Sequence, residues 1–182
     1  MTVFAERTSP TLWIVLLTAA STITTLVLAC ATPFPALAAI AATQMKRRDG
    51  IALMLVAWLA SQAVGFCLLD YPRDGGTLLW AAALGMAAIV AVLAAQAGVA
   101  RSGLRHGVAR VAAAYLIAAV AFKLVILLWS FGLGGVATAL SPSINARQLL
   151  RNGAILIGLL LLYRGLVSLG LPAASRIERA AA

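Results

Sequence analysis

The apolar residues of this 182-residue chain are gathered into blocks. Most are about twenty residues long, the number an α-helix needs to cross the hydrocarbon core of a bilayer at 1.5 Å per residue. Five such blocks run from Leu12 to Ala31, Ile51 to Leu69, Leu78 to Ala100, Val108 to Phe131 and Leu149 to Leu171. A sixth, Ala36 to Met45, is much shorter and follows Thr32-Pro33-Phe34-Pro35, where two prolines restrict the backbone and break the preceding helix. Gly, Pro, Arg and Ser punctuate the intervals. The pattern predicts an all-α integral membrane protein, a bundle of six transmembrane helices with a short second span, in which 1–182 form a single transmembrane domain. Taken alone, the second block is equally compatible with a re-entrant segment, a tilted span, or one lengthened by the Pro-containing turn.

Composition excludes the main alternatives. With 63% hydrophobic and 10% charged residues, a soluble fold would present an almost wholly apolar surface to water. The formal charge of +9 does not point to nucleic acid, because the Lys and Arg residues sit in short loops between apolar blocks instead of on one basic face. Two cysteines, Cys30 and Cys67, are too few and too far apart in sequence for a disulfide framework or a cysteine-rich metal site.

Cytoplasmic loops carry the excess of Lys and Arg, so the cations orient the bundle. Six spans with a cytoplasmic N-terminus put Arg7, Lys46, Arg47, Arg48, Arg101, Arg105, Arg110, Arg176 and Arg179 inside, and only Arg73, Arg147 and Arg151 outside. Both termini are then cytoplasmic. A five-span arrangement, in which the second block does not cross, would part Arg7 from the Lys46 cluster. At the N-terminus, Arg7, an apolar run and Ala29-Cys30-Ala31 have the outline of a signal peptide with a cleavable or lipid-modified cysteine. The run exceeds a signal h-region, so a retained first span is expected.

On this topology the third span runs outward. Cys67 lies at its outer end, and Asp70-Tyr71-Pro72-Arg73-Asp74 makes the densest polar cluster in the chain. A soft sulfur donor can hold a polarisable transition metal that oxygen ligands bind poorly. Tyr71 is four residues beyond Cys67 and shares its face if the helix continues, although Pro72 biases Tyr71 out of helical geometry. Read blandly, Cys67 is a small buried hydrophobe beside an ordinary turn.

Gly65-Phe66-Cys67-Leu68-Leu69-Asp70-Tyr71-Pro72, together with Cys30-Ala31-Thr32-Pro33-Phe34-Pro35, resembles the BtuM family. These are solitary substrate-binding S-components of the energy-coupling-factor type, six-helix proteins of the bacterial inner membrane associated with uptake of vitamin B12. The likeness in length and span number covers the whole chain, and the specific motif covers only these two stretches. The resemblance implies that cobalamin is the substrate, that Cys67 coordinates its cobalt, and that the thiol takes the place of the metal's upper axial ligand. Asp70 and Tyr71 are the accompanying candidates for ligand binding at the mouth. Related transporters dock an ATP-driven energy-coupling module through an Ala-xxx-Ala pattern in the first helix. The first block here lacks it, and Ala38 and Ala42 have the spacing only in the second segment. No ATP site is expected in this chain, since Gly132-Leu133-Gly134-Gly135 lacks the Gly-Lys-Ser/Thr ending of a phosphate loop.

Other polar residues admit two readings each. Lys123 lies inside the fifth block, within snorkelling distance of the outer interface or facing a ligand. Arg164 beside Tyr163 reads as an interfacial anchor. His106 lies in a basic loop with no metal-ligand neighbour at suitable spacing. The long outer segment from Gly132 to Gln148 offers Ser141, Ser143, Asn145, Arg147 and Gln148 either to a ligand rim or to water. Three rivals to cobalamin uptake follow: an S-component-like transporter for another vitamin, a membrane thiol oxidoreductase pairing Cys30 with Cys67, and a purely structural subunit. The oxidoreductase lacks a Cys-x-x-Cys motif.

Overall fold

The computed structural model describes residues 3–27, 33–104 and 107–174. Among these there are seven helices and no strand: α1 (Val3–Val27), α2 (Phe34–Gln44), α3 (Arg47–Cys67), α4 (Gly75–Arg101), α5 (Val108–Leu133), α6 (Val136–Leu140) and α7 (Pro142–Ser168). Four of them, α3, α4, α5 and α7, are long and apolar enough to cross a membrane. The apolar part of α1, Pro10–Ile23, and the whole of α2 are shorter. At 11 residues, α2 extends only about 16 Å, roughly half a hydrocarbon core.

The helices end where the sequence forces them to. Pro35 stands in the first turn of α2, where its missing N–H costs nothing. Met45 and Lys46 are extended and turn the chain at once into α3. Gly134 and Gly135 adopt φ of 85° and 91° between α5 and α6, a region side chains with a Cβ rarely enter. The segment expected to be a loop from Gly132 to Gln148 is mostly helical, because α6 occupies part of it and α7 begins at Pro142 instead of near Leu149. The first turns of α7 carry Ser143, Asn145, Arg147, Gln148 and Arg151, so the hydropathy rises well after the helix has started.

Packing inverts the usual distribution of side-chain size. Ala36, Ala38, Ala39, Ala41, Ala88 and Ala91 are wholly inaccessible, while Leu124 and Leu128 on α5 and Leu150 and Leu161 on α7 are exposed. Large apolar groups thus face outward, as a hydrocarbon solvent permits, and small ones let backbones approach for van der Waals contact. The stripe Ala83, Ala87, Ala91 and Ala95 on α4 is buried along its length, and α4 and α5 form the most extensive contact in the bundle.

Helix α2 is the axis of this arrangement. It packs against α3, α4, α5 and α7, and every residue from Phe34 to Ala42 is buried. Around it the neighbours follow in the order α7, α1, α3, α4, α5, with α6 bridging α5 back to α7. Among the described residues, α2 fills the axis over only part of its length. Phe34 packs on Phe122, halfway along α5, with ring centroids 6.0 Å apart. The far end of α2 reaches the basic end of the bundle, where Ala41 faces Gly50 and Val92. There Trp13 stacks on Tyr163 at 4.4 Å and donates from Nε1 to the Pro172 carbonyl at 2.8 Å, fastening α1 to the segment after α7.

Candidate functional site

At the end opposite the Lys46 cluster, two regions carry polar chemistry. The first is the turn between α3 and α4. Helix α3 stops at Cys67, with Leu68 and Leu69 both donating to the Val64 carbonyl, at 3.0 and 3.1 Å. Asp70 then takes a φ of 49°, a left-handed conformation that Asp tolerates better than most residues. This reverses the chain, and the Tyr71 amide donates to the Gly65 carbonyl at 3.0 Å. The expected helical relation between Cys67 and Tyr71 therefore does not hold. The Tyr71 ring folds back over Gly65, where a Cβ would lie 2.8 Å from it, and stands edge-on to Phe66 at 6.3 Å. Cys67 is an exposed free thiol, so the expectation of a buried small hydrophobe also fails. Asp70 is exposed on the same turn.

Asp74 closes this turn by capping α4. One of its carboxylate oxygens accepts from the Thr77 amide at 2.9 Å and the other from the Thr77 hydroxyl at 2.9 Å. These two bonds, the backbone one foremost, hold its pKa below the ordinary 3.8.

The second region lies between α5 and α7. These helices make little direct backbone contact, and two long side chains span the space instead. Tyr115 donates from its hydroxyl to the Leu149 carbonyl, and Lys123 donates from Nζ to Gln148 Oε1 at 3.2 Å. Between them opens a cavity of about 540 Å³, inside the range of small-molecule sites, about 300–1,000 Å³. Pro35 at the start of α2 lines it from below, Leu116, Val120 and Phe122 supply apolar wall, and Asn145 and Asn152 supply amides. A second cavity of about 380 Å³ adjoins it through Lys123, Ile144 and Gln148, and is lined also by α6 and by Trp80 of α4. Lys123 therefore lines both cavities.

Neither cavity is lined by Cys67, Asp70 or Tyr71. All three nevertheless occupy the same end of the bundle, since Trp80 stands near the start of α4, just after the Cys67 turn. Arg164 is exposed beside the buried Tyr163, as an interfacial anchor would be. Cys30 and His106 lie outside the described residues. Among the described residues no three His, Cys, Asp or Glu side chains gather as a metal cluster would require.

Sequence reasoning passed over Tyr115 and Asn152. Their signal was present in the spacing: Tyr115, Ala119 and Lys123 recur every four residues on α5, and Asn145, Gln148 and Asn152 recur at helical spacing on α7. The second set is visible only if α7 is begun at Pro142. No family model matches the chain, and no curated protein or solved structure does.

Proposed function

We propose that this protein is a substrate-binding component for uptake across a bacterial inner membrane, and that its substrate is a corrinoid whose cobalt is ligated by Cys67. The observation that carries the reading is the placement of an exposed thiol on the last residue of α3, at the end of the bundle that also holds the cavities. A single soft donor suits this metal. Four equatorial positions of a corrinoid cobalt are filled by the macrocycle, so the protein needs to supply only an axial ligand, and a thiolate is a soft one. A free metal ion would need several more donors than the described residues gather. Asp70 and Tyr71 border the thiol on an exposed turn and are the nearest candidates to meet the periphery of a large macrocycle. Reorientation of the bundle would complete transport.

The test is the absorption spectrum of purified protein exposed to cobalamin. The intact protein is expected to retain the coloured corrinoid with a cobalt-sulfur feature. Cys67→Ser should lose that feature and bind more weakly, because a serine hydroxyl is hard and poorly ionised, while Cys30→Ser should do neither. Identical spectra and affinities for the intact protein and Cys67→Ser would remove the cobalt-ligand assignment.

A further inference from the structure

We infer that the cavity between α5 and α7 is a separate binding site for an amphipathic anion, one that carries a hydrogen-bond donor next to its negative group and an apolar body behind it. This goes beyond the corrinoid reading and does not depend on Cys67.

Charge sets the sign of the ligand. Lys123, Arg147 and Arg151 line the cavity, and among the described residues no acidic side chain does. An ammonium lining an apolar-walled cavity is costly to keep without a counter-charge, and among the described residues its hydrogen bond is to the neutral Gln148 amide. The first turn of α2 borders the floor through Pro35, so the positive end of that helix's dipole adds to the same field.

Two amides set the second requirement. Asn152 is only 8% exposed. Its Nδ2 donates to the Gln148 carbonyl at 3.0 Å, while its Oδ1 is buried with no partner. Asn145 repeats the pattern, with Nδ2 donating to the Ala139 carbonyl at 3.1 Å and Oδ1 buried and unpartnered. Leaving a buried acceptor unsatisfied costs about 1–3 kcal/mol, and both residues line the cavity although the oxygens themselves are covered. A ligand N–H or O–H would satisfy them once each amide turns its oxygen toward the cavity. The walls of Leu116, Val120 and Phe122 then cover an apolar body. A soluble carboxylate bearing an amide and a lipid phosphodiester bearing hydroxyls share this chemistry.

The test uses three matched probes with protein in phosphatidylcholine nanodiscs, followed by titration calorimetry against empty nanodiscs. N-octanoylglycine has the carboxylate and the N–H, its methyl ester lacks the charge, and N-octanoylsarcosine lacks the N–H. Saturable binding of the first is expected, with each of the others about tenfold weaker. Lys123→Met should abolish the preference for acid over ester, Lys123→Arg should keep it, and Asn152→Leu should abolish the preference for N–H over N-methyl. Adding phosphatidylglycerol to the nanodiscs separates the sources: displacement of the probe assigns a lipid, and unchanged affinity assigns a soluble anion. Cys67→Ser should bind the probes as the intact protein does, so that failure of the corrinoid reading leaves this one standing. Equal binding of all three probes by the intact protein would overturn the proposal without recourse to any variant, as would discrimination that Lys123→Met and Asn152→Leu leave untouched.

Discussion

A single carboxylate caps the helix that follows the turn bearing the thiol. Asp74 satisfies two Thr77 donors at the start of α4, and its pKa is lowered in the folded state. A group shifted in this direction contributes stability above its unfolded pKa and loses that contribution as the pH falls through the lower, folded value. The cap is therefore fully formed at neutral pH, begins to weaken only below the ordinary 3.8, and is lost when the carboxyl protonates. The Thr77 amide reports this directly, since its proton is the one the carboxylate accepts. Its chemical shift should titrate with a midpoint below 3.8, and Asp74→Asn should keep the helix start while removing the titration. A midpoint at or above 3.8 would contradict the geometry. Asp70 was legible as part of a polar cluster but not as the residue that reverses the chain, because a positive φ leaves no trace in composition.

Among the elements, the contact of α3 with α4 rests on an aromatic ring lying flat against a residue without a side chain. Trp58 donates from Nε1 to the Ala81 carbonyl at 2.9 Å, which fixes the indole over Gly85, where a Cβ would approach it to 2.8 Å. Gly85→Ala should lower stability by about 1–3 kcal/mol, the usual cost of overpacking, read from unfolding in a denaturing detergent. Gly158 on α7 has nothing within 4 Å of a built Cβ, so Gly158→Ala should be neutral or gain up to about 1 kcal/mol from helix propensity. The reverse order of the two variants would show that the indole is not held as described. The long helices were legible because a hydrocarbon solvent demands long apolar runs. The start of α7 was hidden, since its polar first turns line a cavity and so read as loop. The spacing that joins Asn152 to Asn145 and Gln148 was hidden with it.

For the whole molecule, the basic end and the end bearing the Cys67 turn should lie on opposite sides of the membrane. In a background without native cysteines, Arg73→Cys should react with an impermeant maleimide in intact cells, and Arg101→Cys only after permeabilisation. Reaction of both from one side would reject the six-crossing topology. Four helices are long and apolar enough to cross, and the labelling reads whether α1 and α2 supply the other two crossings. The shortness of α2 has a further consequence. A bundle ringed by helices such as α4, about 40 Å long at 27 residues, has an axis that a stub of about 16 Å cannot fill. The chamber beyond Pro35 is made by omission, as the stretch of core that, among the described residues, no sixth long rod occupies. Its capacity is then governed by a single dimension: each residue added ahead of Phe34 would raise the floor by about 1.5 Å, and each one removed would deepen the chamber by as much, with the walls left as they are.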